Sequence, residues 1–440
     1  MEQSTFSSNV YKLSFLLLVI STLFQDLRLQ AIFGTIARSP VVFISPVIFV
    51  LLLLLQRKYV VFPFSQLYLK YWIITFIVSV FILFATILFV TKGVPEMYGQ
   101  SPYGKLFKSS SYNLVIFIFS YCLLNTSSKV SLSFIYKVVQ GCFWFLVVLA
   151  VLEYFDLAFF DFLHTENVYG IFNKDIRIQL TSFEPSAAAP FFITFAVSFI
   201  LLRYQLGMSK WITIISGIIS ILILTAIASK GVILIVVALL WAIRKNLSYK
   251  TIVPVIILSV PIIRFIITDT IPLLQYNIED VETVSTRLTT VSASLYSLVV
   301  HPFGEGYGTY LYYFPKLIVP VFKWVVNFTG IPFLGGELED MLYTGNSLIS
   351  KSGVASEVMY NGWIAVIMLV LVVRYFNKLA GSIKNQGVYI LFVFIMSYLF
   401  LSFLFSVSVE SSYFFILPLA IIIKIIDTQH TSLPAKQNAT

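Results

Sequence analysis

Tyr71 to Thr91 reads YWIITFIVSVFILFATILFVT, without a single charged side chain. A helix that crosses a membrane needs about 20 mostly apolar residues, because the hydrocarbon layer is about 30 Å thick. Within that layer every backbone N–H and C=O must be paired inside the protein, and a helix pairs them within one segment. This stretch therefore reads as a transmembrane helix. The same rule selects runs at 11–25, 39–55, 112–125, 134–153, 187–203, 211–228, 231–243, 252–268, 354–373, 387–406 and 411–426, twelve spans in all. The first run is followed by many more and lacks a small-residue cleavage site, so it reads as a retained span. The expected fold is an all-α polytopic integral membrane protein, with residues 1–440 forming one membrane domain.

Composition agrees. The chain is 59% hydrophobic and 11% charged, against about 45–50% and about 25% for a soluble domain. A soluble enzyme, a disordered chain and a nucleic-acid-binding domain are excluded, and the net charge of +9 has another explanation. With the N-terminus placed in the cytoplasm, 16 of the 29 basic residues fall in short inner segments, among them Arg57, Lys58, Arg244, Lys245, Arg374 and Lys384. Glu2 and Asp427 are the only acids there. Lysine and arginine accumulate in cytoplasmic loops, so an even number of spans with both termini inside fits.

Two outer loops are long, at 154–186 and 269–352, and a short polar tail, 428–440, reads as disordered and cytoplasmic. Within the second loop, Tyr310 to Phe333 is apolar and aromatic but carries Pro315, Lys316, Pro320 and Lys323. A span there would place the basic Arg374–Lys384 loop outside, so it reads as interfacial or re-entrant. Cys122 and Cys142 lie in apolar runs, and His164, His301 and His430 are scattered. No metal site and no cofactor is expected.

Several residues carry chemistry. The first outer loop ends with Arg177 and Glu184-Pro185-Ser186. Ionisable groups near membrane depth are costly and often functional, although an Arg–Glu pair also anchors a loop. Ser229-Lys230-Gly231 forms an outer turn, either a plain polar hairpin or an ammonium directed at an anion; Arg264 reads as snorkelling to the interface. Residues 287–300 place Leu288, Val291, Leu295 and Leu298 at helical spacing, with Thr290, Ser294 and Ser297 off that stripe. This is an amphipathic helix with Arg287 at its start, stopped by His301-Pro302. Gly304-Glu305-Gly306-Tyr307-Gly308 then offers either a flexible turn or close backbone approach to a ligand. His301 is either a base near neutral pH or a helix-ending polar residue. Asn346-Ser347, Glu357, Tyr360-Asn361-Gly362 and Glu410 flank late spans, where a carboxylate is a proton carrier, a base, an ion-pair partner or an interfacial group.

In order, Arg177…Glu184-Pro-Ser, Ser229-Lys230, and an Arg287-led helix running into His301-Pro-Phe-Gly-Glu-Gly-Tyr-Gly308 precede Asn346-Ser347 and Glu357…Gly362. This series resembles the Wzy-type O-antigen and capsule polymerases, in the superfamily that also holds the O-antigen ligases. The resemblance implies a GT-C-like membrane glycosyltransferase bundle with a large periplasmic loop, in the bacterial inner membrane. It implies transfer of a growing chain from undecaprenyl pyrophosphate to the next lipid-linked oligosaccharide at the periplasmic face. A chain-length regulator and a flippase are the implied partners, beside membrane lipids, and no nucleic acid is involved. Pyrophosphate leaves with negative charge, which cations stabilise, and arginine binds phosphate bidentately. Arg177 and Arg287 are first choices for that role, supported by Lys230. Glu184, Glu357 and His301 are the candidate bases, with Arg287 completing the catalytic set. Tyr307 and Tyr310, with Tyr312 and Tyr313, either stack on sugars or anchor at the interface. Ligases of this superfamily carry a His-Asn or His-Ser element in the loop. Here Gly345-Asn346-Ser347 lacks the histidine, which favours polymerase. Lys230 stands where arginine is commoner, keeping the charge but losing the fork. The competing functions are a lipid-linked oligosaccharide flippase or transporter, and an O-antigen ligase.

Overall fold

A computed structural model describes residues 2–25, 39–55, 60–95, 97–155, 178, 180–181, 185–227, 232–244, 282–329, 335–345, 348, 350, 352–405 and 413–431. The described elements are all helical: α1 (Glu2–Thr22), α2 (Val41–Leu55), α3 (Pro63–Ala85, continued by a π-helical turn Thr86–Val90), α4 (Pro102–Lys129), α5 (Leu132–Tyr154), α6 (Pro185–Gln205), α7 (Lys210–Ile227), α8 (Val232–Ile243), α9 (Glu282–Val300), α10 (Tyr310–Thr329), α11 (Gly336–Thr344), α12 (Gly353–Asn361), α13 (Trp363–Gly381), α14 (Gln386–Phe405) and α15 (Ile416–Thr431). Seven of them are long and apolar enough to cross a membrane: α3, α4, α5, α6, α7, α13 and α14. The protein is thus a helical membrane protein. The expected runs at 39–55 and 231–243 correspond to shorter apolar helices. Those at 11–25 and 411–426 fall mostly in α1 and α15. The run at 252–268 lies outside the described residues.

Local chemistry sets the helix ends. Pro63 and Pro102 open α3 and α4, where a missing N–H costs nothing and the ring pre-sets φ. Ser101 and Ser131 cap α4 and α5 by accepting from the Gly104 and Phe134 amides. Helix α4 is twice as long as the apolar run 112–125 predicted. It is the central helix, packed on α1, α2, α3 and α15. Its polar residues Ser109, Ser110 and Asn113 are buried inside the protein rather than left facing lipid. Helix α3 instead turns Ile77, Phe81, Phe84 and Leu88 outward, the exposure expected of a lipid-facing surface.

Two buried clusters result. The larger joins α1 to α8 with α13, α14 and α15. The smaller joins the end of α3 and the start of α4 to the loop after α9, α10, α11 and α12. Cys122 and Cys142 are both buried free thiols.

Three readings are corrected. The expected span 354–373 is not continuous. It breaks at Gly362, so Glu357 sits on a separate short helix, α12, and the span proper is α13. Arg287 does not start its helix, which already begins at Glu282. The apolar stripe of α9 faces outward, with Leu288 39% and Leu295 53% exposed, while Thr290, Ser294 and Ser297 are fully buried. Burial of these hydroxyls is tolerated because they donate to the carbonyls of Arg287, Thr290 and Ser294 within their own helix. The segment from Tyr310, for which an interfacial or re-entrant placement is expected, forms the regular helix α10 and is not among the helices apolar enough to span. Its Leu311, Phe314, Ile318, Val321 and Val325 side is buried against α9 and α12.

Candidate functional site

Glu357 comes from α12, and around its carboxylate gather side chains from three other parts of the chain. Tyr71 of α3 donates its hydroxyl to Oε2 at 2.6 Å. Asn361, one turn on along α12, donates to the same oxygen at 2.9 Å and also reaches the Tyr71 and Tyr307 hydroxyls at 3.0 and 2.9 Å. Asn113 of α4 donates to the Tyr307 hydroxyl at 2.6 Å. Tyr71 belongs to the larger apolar cluster and Tyr307 to the smaller, so this polar knot ties the two together.

The knot is buried yet incomplete. Glu357 Oε1 and Asn113 Oδ1 are buried without a hydrogen-bond partner. Both residues line a cavity of about 110 Å³ that continues between α13 and α14 past Met368, Phe376, Leu399 and Phe403. An orphan buried acceptor costs about 1–3 kcal/mol, so such groups in a native fold ask for a reason. Two acceptors at the polar end of an apolar cavity suit a ligand that brings a donor, such as a hydroxyl.

The break that frees α12 is built by two glycines. Gly362, at φ +55°, would place a Cβ 2.2 Å from the Pro302 carbonyl oxygen. Gly304, at φ +83°, would place one 2.3 Å from the Tyr360 carbonyl oxygen. The two backbones touch because three bonds join them: Glu305 and Gly306 donate to the Met359 and Tyr360 carbonyls, and Trp363 donates to Pro302. The loop thus supplies partners for groups that the break leaves without helical ones. Gly304-Glu305-Gly306 thus lies in a turn whose close backbone approach is to another part of the chain.

In the same loop Glu305 is 1% exposed, and neither carboxylate oxygen is hydrogen-bonded. His301 Nδ1 lies 3.8 Å from Oε1, too far for a direct bond, and is itself buried without a partner. The other side of His301 packs on the Tyr313 ring at 4.9 Å. Burial pushes the Glu305 carboxyl from 4.5 up to about 7, with His301 opposing the shift. A raised carboxyl binds more protons folded than unfolded, so its contribution to stability is present below pH 4.5 and lost as pH rises through about 7. Thermal unfolding in detergent is expected to show stability falling across that window, with the fall flattened in Glu305→Gln. A variant that keeps the wild-type pH dependence would contradict this origin.

The other candidates divide. Arg287 is half-buried, and its Nε has no hydrogen-bond partner among the described residues. Its helix α9 packs directly on α12, which carries Glu357. Tyr307 is fully buried with its hydroxyl in the knot, and Tyr310 is 4% exposed with its hydroxyl accepting from Lys105, so neither offers a ring face to a sugar in this structure. Arg177, Glu184, Lys230, Arg264, Asn346, Ser347 and Glu410 lie outside the described residues. Among the described residues, no group of three or more His, Cys, Asp or Glu is placed to hold a metal ion. Sequence reasoning passed over Tyr71, Asn113 and Glu305. Asn113 left a usable signal, an amide near the start of an apolar run; Tyr71 reads only as the first residue of a span.

Comparison with protein-family models and with curated proteins finds no match.

Proposed function

We propose that this protein is a membrane glycosyltransferase that polymerises lipid-linked oligosaccharide units at the outer face of a bacterial inner membrane. The observation that carries the reading is Glu357, a buried carboxylate with one oxygen unpartnered at the end of an apolar cavity. In the reaction an acceptor hydroxyl attacks the anomeric carbon of the donor. The bond to pyrophosphate breaks, its electron pair leaves with the lipid pyrophosphate, and the hydroxyl proton passes to Glu357. Arg287, on the helix packed against α12, is the cation assigned to the departing pyrophosphate. The ordered series of motifs from Arg177 to Gly362 supports the same function.

One observation favours a second reading. The interruption between α12 and α13 puts a carboxylate on a broken helix, the arrangement that secondary transporters use for substrate or proton sites. Deletion of the gene separates the two, with surface glycans resolved on a gel. Lipid A–core bearing a single repeat unit, with the ladder gone, is expected for a polymerase. Bare core would point to a flippase or a ligase and overturn the proposal.

A further inference from the structure

Helix α10 is 20 residues long, yet it is not among the helices apolar enough to span. One side packs on the protein; the other exposes Lys316 and Lys323, two helical turns apart, with Trp324 56% and Phe328 76% exposed. The Trp324 and Phe328 rings are stacked at 5.1 Å. The helix carries no acid; Glu337, Glu339 and Asp340 follow on α11.

The position of α10 relative to the spans is set by its first turn. The Tyr313 hydroxyl is hydrogen-bonded to Thr86 at 2.9 Å, where α3 passes into its terminal π-helical turn. Lys105, in the first turn of α4, donates to Tyr310 at 3.3 Å. Helix α10 therefore begins where two hydrophobic spans end, which is the depth of lipid headgroups. Exposed apolar side chains also occur on neighbouring elements: Leu88 and Phe89 in the terminal turn of α3, and Leu295 and Val299 on α9. A helix that buries its hydroxyls and shows its leucines is suited to surroundings of lipid rather than water. Lysines with exposed aromatics on one face, and no acids, are the composition of a helix lying in an anionic membrane surface.

We propose that the exposed face of α10 docks anionic phospholipid headgroups, with Lys316 and Lys323 on the phosphates and Trp324 and Phe328 at the acyl boundary. This stands independently of the glycosyltransferase reading. Each basic side chain at such a surface is worth about fivefold in lipid affinity.

The test uses the full-length protein in nanodiscs of phosphatidylcholine containing phosphatidylglycerol, with retained lipid counted by native mass spectrometry. The wild-type protein is expected to retain phosphatidylglycerol preferentially, and Lys316→Gln with Lys323→Gln to weaken that preference by about 30-fold. Unchanged preference in the double variant overturns the proposal. A second measurement does not depend on those substitutions. A spin label at Phe328→Cys, specific because Cys122 and Cys142 are buried, is expected to be accessible to oxygen and shielded from a water-soluble nickel chelate. Free access of the chelate, or shielding from both by a bound protein, overturns it.

Discussion

Glu357→Gln is expected to leave the protein folded in the membrane and to collapse the glycan ladder to a single repeat unit. Glutamine has the same shape. Its remaining oxygen continues to accept from Tyr71 and Asn361, as Oε2 does now. Its amide takes the place of the unpartnered Oε1, beside an Asn113 that has its own unpartnered acceptor. The polar knot therefore loses no bond, and only the basicity disappears. Removing a general base typically costs about 10²–10⁴ in rate, enough to stop a chain that must be extended many times. The measurement pairs a gel of surface glycans with the amount of protein in the membrane fraction. A full ladder at normal protein levels would remove Glu357 from the chemistry. Bare core in the same variant would move the residue to the transport reading.

Gly362→Ala is expected to be among the most destabilising small substitutions in the chain, and Gly304→Ala to match it. The new Cβ meets backbone, the Pro302 oxygen at 2.2 Å in one case and the Tyr360 oxygen at 2.3 Å in the other. Neither oxygen can rotate away. Relief requires parting the two segments and with them the bonds from Glu305, Gly306 and Trp363. With the strain of a positive φ added, the cost is at least about 3 kcal/mol. Gly141→Ala is the control: it lies inside α5 with nothing within 4 Å of the added atom, and is expected to be neutral or slightly stabilising. Thermal unfolding of the three purified variants decides the matter. If Gly362→Ala unfolds with the wild-type protein, the interlock contributes little to the fold. Because Glu357 and Asn361 ride on α12, any survivor with a displaced α12 should also lose activity.

The membrane class and most of the spans were legible in the sequence. Runs such as Tyr71–Thr91 admit few alternatives, because lipid offers the backbone no hydrogen bonds and forces it to pair with itself. The stop at His301-Pro302 was equally local: proline disfavours helix in the residue before it. The broken helix was not legible, since Gly362 inside an apolar run looks like any tolerated glycine. What makes it a break is the Pro302–Gly306 backbone packed against it, more than fifty residues earlier in the chain. The orientation of α9 was hidden for a related reason. Hydrophobic periodicity identifies two faces of a helix but does not say which one meets the protein when the surroundings can be lipid. Likewise Glu305 stood in the sequence only as part of a glycine-rich stretch, and only packing withdraws its carboxylate from water.

The candidate site shows the division most plainly. Residue types and their order along the chain established a helical membrane protein with carboxylates near late spans, because transfer into lipid depends on each segment's own composition. That Glu357 meets Tyr71, Asn113, Tyr307 and Asn361, and keeps one oxygen for something else, was decided by the tertiary structure. These residues lie on different helices and a loop with no spacing rule between them, and a buried hydrogen-bond network exists only where packing brings its members within about 3 Å.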